Sequence, residues 1–171
     1  MKRVAFLTAF TLPLLMNWAY AGAEPHVQAI YHNPRFGQML EYPRDLFPIT
    51  LPPPENGDGQ IFTSQDGKSE VIASGSYNVD EYGRIDEVVA QDAQFRTRDG
   101  WIITYRTKGK DWAVLSGMKD DRIFYDKLLL THHKKIINTL TVEYPVAAKA
   151  VFDPVVPRIA ASFREGKAGG E

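Results

Sequence analysis

A succession of strand-like segments in the second half of the chain constrains the fold more than any other feature of the sequence. Each segment is rich in the aromatic and β-branched residues that favour strands. The segments cover residues 101–107, 112–118, 123–131 and 136–144. Short turns separate them, including Lys108-Gly109-Lys110. Four consecutive strands joined by short turns predict an antiparallel meander.

Further strands and two helices are predicted on either side of this meander. The upstream strands are predicted at residues 36–42, 61–63 and 69–77. A proline-rich loop covers residues 46–59, where missing backbone donors exclude a helix or a central strand. A helix is predicted over residues 81–93, because Asp80 is a good N-cap residue and apolar side chains follow at helical spacing. A second helix follows Pro145. The predicted fold class is α+β, an antiparallel β-sheet flanked by helices.

The first 21 residues have the pattern of a secretory signal peptide, and we expect them to form an apolar helix. Lys2 and Arg3 precede a mostly apolar run over residues 4–18. Small residues then recur at alternate positions, so cleavage after Ala21 or after Ala23 fits equally well. A membrane-anchoring helix is the competing interpretation. Polar residues and a proline interrupt the run, however, and a spanning helix needs about 20 consecutive apolar residues. We therefore expect a periplasmic or secreted protein with no stable membrane anchor after cleavage.

Length and composition predict one domain that is stabilised without disulfides. We expect a flexible lead-in over residues 24–34, one domain over 35–165 and a disordered tail over 166–171. The chain has no cysteine, which excludes disulfides, a lipid-bearing cysteine and a cysteine nucleophile. Without Lys2 and Arg3, 18 basic and 21 acidic residues remain, and no basic stripe is present. Nucleic-acid binding is therefore not expected.

The order of several short motifs resembles the PsbP-like fold family, and above all its uncharacterised bacterial exported members. The motifs are Leu40-Glu41-Tyr42-Pro43, Asp45-Leu46-Phe47, Ser116-Gly117, Ile123-Phe124-Tyr125, and Asp153, Ile159, Ser162 and Phe163 near the end. The resemblance covers residues 31–165. It implies an α/β/α sandwich built on an antiparallel sheet. The resemblance also implies an accessory or binding role. It supplies no catalytic residues to carry over, and a shared fold does not by itself determine a function.

Two pairs of residues are candidate binding groups. Tyr125 and Lys127 share one face of a predicted strand. They form a binding pair if that face is exposed; otherwise the Lys127 stem extends beside a packed Tyr125. Asn56 and Asp58 lie in the turn Asn56-Gly57-Asp58-Gly59, which fails the EF-hand pattern. A looser calcium site with Glu55 and Asp66 remains open, and ordinary turn chemistry is the alternative.

No sequence pattern identifies a catalytic centre, a metal site or a cofactor. Ser116 and Lys119 match Ser-x-x-Lys, but they lie at a predicted strand end rather than on one helix face. None of the four histidines belongs to a recognisable triad motif. We therefore expect no cofactor and no resident metal. We interpret the chain as an exported accessory or binding protein with a protein partner in the cell envelope.

The sequence also suggests a contact surface and leaves one alternative function open. The rigid proline-rich loop over residues 46–56 would lose little entropy on binding, so it is the expected contact surface. The alternative is an envelope hydrolase or transferase that uses a carboxylate pair, with Asp58 opposite Asp66 or Glu70. The sequence makes no prediction of oligomeric state.

Overall fold

A computed structural model describes residues 26–168 of the chain. The predicted signal peptide, its cleavage sites at Ala21 and Ala23 and the last three residues lie outside the described residues. The strands are β1 (Gln28–His32), β2 (Gln38–Pro43), β3 (Ile49–Thr50), β4 (Gly59–Thr63), β5 (Glu70–Tyr77), β6 (Ile102–Lys108), β7 (Trp112–Lys119), β8 (Arg122–Thr131), β9 (Ile136–Pro145) and β10 (Arg164–Glu165). The helices are α1 (Ile85–Arg98), a short 3-10 turn (Val146–Ala148), α2 (Lys149–Phe152) and α3 (Val156–Ser162).

The strands form two antiparallel sheets. A seven-stranded sheet has the order β3-β4-β5-β9-β8-β7-β6, and a three-stranded sheet has the order β1-β2-β10. The predicted meander corresponds to β6, β7, β8 and β9, which are neighbours in the large sheet and differ from the predicted bounds by one residue at most. The α+β fold class predicted from the sequence is confirmed.

Both faces of the large sheet are covered, but unequally. On one face, Val71, Leu140 and Val142 pack beneath the small sheet and α3, which contribute Leu40 and Ile159 to the same core. On the other face, α1 contacts β6, β7 and β8, where two smaller apolar clusters form. Farther along the sheet, at β5 and β9, this face is only partly covered by α1. The consequence is a groove along one side of α1.

The beginning and end of the domain are more ordered than the sequence predicts. The sequence predicts a flexible lead-in, but Gln28–His32 forms β1 and pairs antiparallel with β2. The predicted disordered tail begins at Gly166, whose N–H instead donates to the Gly37 carbonyl over 2.7 Å. His32 Nε2 lies 2.9 Å from the Lys167 carbonyl oxygen. These last two contacts form only after folding, because they join segments more than 120 residues apart in sequence.

Helix α1 begins four residues later than the spacing predicts. Glu81 has a left-handed φ of 54°, which no helix can include, so Asp80 is not the N-cap. Asn78 holds the preceding segment instead: its side chain accepts from the Tyr82 N–H and donates to the Tyr82 carbonyl, both over 3.0 Å. The helix starts after Arg84, whose N–H donates to the Glu87 carboxylate over 3.0 Å.

No helix within residues 26–168 is long and apolar enough to cross a membrane.

Candidate functional site

The Lys127 ammonium group bonds to another element of the fold instead of facing solvent. Its ammonium donates to the carbonyls of Ala160 and Phe163 over 2.6 and 3.0 Å, at the C-terminal end of α3. A cation there satisfies carbonyls that have no partner within the helix and complements the helix dipole. Burial lowers the pKa of Lys127. Lys127 therefore attaches α3 to β8, and the exposed-pair interpretation of Tyr125 and Lys127 is wrong for Lys127.

Tyr125 lies at the inner border of an exposed apolar surface. The strand register places Tyr125 beside Ser116 and Ser116 beside Tyr105, and it places Met118 between Ile102 and Ile123 on the same face. Large apolar side chains there remain in solvent: Ile102 is 66% exposed, Tyr105 53% and Met118 39%. Tyr125 itself is half-buried, and burial raises its pKa. We call the surface formed by Ile102, Tyr105, Met118 and Tyr125 the edge face.

Strand β6, which carries two of these residues, is the last strand of the large sheet. A bulge between Ile103 and Tyr105 interrupts its pairing with β7. Its charged residues Arg106 and Lys108 project from the opposite face, where Lys108 forms an ion pair with Asp86 of α1. Bulges and charges protect an edge strand against pairing with another strand. The edge face is thus suited to side-chain packing rather than to strand addition.

The Asn56–Asp58 turn uses its polar groups to hold itself together. Asn56 Nδ2 donates to the Asp58 carboxylate over 2.7 Å, and the Asp58 N–H donates back to Asn56 Oδ1 over 3.2 Å. Gly57 supplies the left-handed φ of 66° that the turn requires. The carbonyls of the turn accept from Arg35, Gln38 and Asn33, which fixes the turn against β2. These contacts are those of ordinary turn chemistry.

The structure does not bring together the carboxylates of the predicted catalytic pair. Asp58 precedes Gly59, which pairs with Ser74, whereas Glu70 pairs with Thr63 at the other end of the β4–β5 hairpin. Gly59 and Thr63 are four residue steps apart along β4, or about 13 Å. Asp66 lies in the distant turn, where it accepts from Ser64 over 2.7 Å. The pairing of Asp58 with Asp66 or Glu70 is therefore wrong, and the looser calcium site fails for the same reason. Among residues 26–168, no three acidic or histidine side chains are grouped to hold a metal ion.

The groove beside α1 contains an unusual carboxyl group that sequence reasoning missed. This α1 groove has a volume of about 480 Å³ and is lined by Ser76, Val88, Gln91, Asp92, Gln94, Phe95, Arg98, Leu128, Ile137 and Thr139. Asp92 Oδ2 is buried and has no hydrogen-bond partner in the described part of the protein. Burial, reinforced by the charge of Asp126, raises the pKa of Asp92 to about 7, although nearby Arg96 acts to lower it.

An ion-pair network lies behind Asp92, between α1 and the sheet. Arg96 donates to both carboxylate oxygens of the buried Asp126, over 2.7 and 2.8 Å, and to Glu143 over 2.8 Å. The Thr141 hydroxyl donates to Asp126 over 2.6 Å. Burial raises the pKa of Asp126, while the bonds from Arg96 oppose that change. Two carboxylates thus share the charge of Arg96, which leaves Asp92 without a cation of its own.

A sequence signal for Asp92 existed but was weak. Asp92 follows Val88 by four residues, so it falls on the apolar face of the helix, where an acid is unusual. Its neighbour Asp126 lies 34 positions further along the chain, and no local pattern joins the two. The edge face was missed for a different reason: alternation identifies which residues share a face, but not which part of that face remains uncovered.

Comparison with known proteins places the fold. No protein-family model matches this chain, and no curated protein matches it significantly. The chain is similar to the solution structure of cyanobacterial PsbP from Synechocystis sp. PCC 6803, with a TM-score of 0.61 and 12% sequence identity. The match covers 84% of this chain and 95% of that chain. The fold is PsbP-like, as the motif order predicts.

Proposed function

We propose that this chain is an exported accessory protein of the cell envelope, which binds a protein partner through the edge face. Export rests on the N-terminal signal-peptide pattern of Lys2, Arg3 and the apolar run that follows. An accessory role rests on the PsbP-like fold together with the exposed surface described above. Fold similarity supports such a role only by analogy. The edge face therefore carries the proposal.

The observation that favours a protein partner is the exposure of several adjacent large apolar side chains. Ile102 and Met118 are neighbours across β6 and β7, and Tyr105 lies next to them on the same face. Contiguous apolar surface that remains in solvent is typical of protein interaction sites. Tyrosine and methionine are enriched in such interfaces. Full burial of one such side chain favours association by about 1.5–3 kcal/mol, before the entropy cost of binding is subtracted.

The proline-rich loop is the competing contact surface. Residues 51–56 are all exposed, and three consecutive prolines at 52–54 restrict the backbone. A restricted loop loses little entropy on binding. However, prolines lack backbone donors, and within the loop the large apolar side chain exposed is Leu51. The edge face offers more apolar surface, so we assign the main contact to it.

Photocrosslinking in intact cells tests this assignment. A photoreactive phenylalanine analogue would replace Tyr105 on the edge face, Pro53 in the loop, or Val79, which is 81% exposed and lies elsewhere. We expect one adduct of defined mass from position 105 in the periplasmic fraction, and none from position 79. Either of two results would overturn the proposal: no adduct from position 105, or an equal adduct from position 79. An adduct from position 53 alone would transfer the contact to the loop.

A further inference from the structure

The α1 groove has the dimensions and lining of a small-molecule site. Its volume of about 480 Å³ lies within the range of ligand pockets, roughly 300–1,000 Å³. Val88 and Phe95 of α1 form one apolar wall, and Leu128 and Ile137 of the sheet form part of the floor. The Phe95 ring is 63% exposed at the rim. A short apolar chain could replace water against these surfaces.

The charge of the groove determines what kind of ligand fits. Asp92 Oδ2 has no hydrogen-bond partner within residues 26–168, while Arg96 is already shared between Asp126 and Glu143. Three carboxylates therefore face one guanidinium behind the groove. Arg122 pairs with the other carboxylate oxygen of Glu143, over 3.4 Å. The other cation of the groove is Arg98, which lies six residues or about 9 Å along the helix axis from Asp92.

From this arrangement we propose that the α1 groove binds a small alkylammonium ligand, with its charged nitrogen at Asp92 and its alkyl chain against Phe95, Leu128 and Ile137. The ammonium group supplies the positive charge that Asp92 lacks. The nitrogen source is either a free amine or the side chain of a lysine. This inference does not depend on the edge face, which lies on the opposite face of the sheet.

An NMR titration tests the proposal with n-butylamine as the probe. Amide shifts of ¹⁵N-labelled protein are followed at pH 8, with n-butanol and n-butyrate as neutral and anionic controls. We expect n-butylamine to shift amides of residues 88–98 and 137–139, and both controls to bind at least tenfold more weakly. Equal binding of n-butanol, or shifts confined to other regions, would overturn the proposal. Nα-acetyl-lysine methylamide distinguishes the sources, because tighter binding than n-butylamine indicates a lysine side chain and equal binding indicates a free amine.

Two variants and a change of pH separate a specific site from a general charge effect. Asp92→Asn should weaken n-butylamine binding about tenfold or more, since it removes the negative charge that holds the ammonium group. Glu55→Gln removes an exposed acid from the proline-rich loop and should leave the affinity unchanged. Because the pKa of Asp92 is about 7, lowering the pH from 8 to 5.5 should weaken binding about 30-fold. An affinity that is the same in Asp92→Asn, or independent of pH, would refute the site.

Discussion

Replacing Asp92 by asparagine should change the pH dependence of folding stability in a diagnostic way. The side chain lies in the α1 groove with one buried carboxylate oxygen that has no partner in the described structure. Its pKa is 3.8 in the unfolded chain and about 7 in the folded protein. The folded protein therefore binds one more proton than the unfolded chain between about pH 4 and pH 7. Stability must fall as the pH rises through this range.

The size of the effect follows from the two pKa values. A pKa change of one unit corresponds to about 1.4 kcal/mol of free energy. The rise of the Asp92 pKa from 3.8 to about 7 therefore lowers the free energy of unfolding by about 4 kcal/mol above pH 7. Below pH 4 the cost disappears, because both states are protonated. Asparagine cannot ionise, but its buried amide loses hydrogen bonds to water at every pH, at a cost of about 1–3 kcal/mol. Near pH 4 the neutral carboxyl of the wild type carries a similar cost, so the two proteins should have similar stability there, and the variant should be more stable at pH 8.

Urea unfolding at several pH values measures this difference. Free energies of unfolding are obtained for both proteins between pH 4 and pH 8.5, without any ligand. The difference between variant and wild type cancels the titration of all other groups that the substitution leaves unchanged, including Glu70, whose pKa is also raised by burial. We expect this difference to rise by about 4 kcal/mol in favour of the variant, with most of the change between pH 4.5 and pH 7.

A difference that stays constant with pH would mean that Asp92 titrates normally, contrary to the raised pKa. The same conclusion would follow if the change occurred below pH 4.5. A constant loss of stability in the variant would show instead that Asp92 makes a favourable contact in the folded protein.

Three further outcomes follow from the structure. Lys127→Met should lower the free energy of unfolding, measured with urea, by about 2 kcal/mol, because the bonds to α3 are lost. As the control, Lys110→Met at an exposed turn should change it by less than about 0.5 kcal/mol. Arg96→Met should lower the free energy of unfolding by about 3–5 kcal/mol, since it leaves the buried Asp126 without its cation, and thermal unfolding should show much of the loss recovered when Asp126→Asn is added. N-terminal sequencing of the exported protein should begin at residue 22 or 24, immediately after Ala21 or Ala23; an intact Met1 in the periplasmic fraction would contradict the signal-peptide interpretation.

The strands of the meander could be predicted because their pattern is local. Alternation and β-branched residues identify Trp112–Lys119 and Ile136–Pro145 almost to the residue, since turns with strong sequence signals bound both segments. β1 could not be found in the same way. Its five residues form a strand only because β2 is available as a partner, and that pairing is a tertiary contact. The start of α1 was misplaced because the Asn78 side chain overrides the signal of Asp80.

The candidate sites depended even more on tertiary structure. Sequence spacing placed Tyr125 and Lys127 on one face, which is correct, but could not show that the Lys127 ammonium bonds to the end of α3. Conversely, sequence patterns could not identify Asp92 as a site, because its raised pKa arises from burial and from Asp126, which lies on another element. Turn chemistry at Asn56 and Asp58 was the one local alternative, and its hydrogen bonds are those that the sequence allows.

The affinity for the crosslinked partner shows whether the edge face is the contact surface. Calorimetry would compare wild-type protein with two variants: Tyr105→Ser combined with Met118→Ser on the edge face, and alanine at all three of Pro52, Pro53 and Pro54 in the loop. The account predicts at least about tenfold weaker binding for the edge-face variant, equivalent to about 1.4 kcal/mol, and less than about a twofold change for the loop variant. Unchanged affinity in the edge-face variant, with a loss in the loop variant, would contradict it.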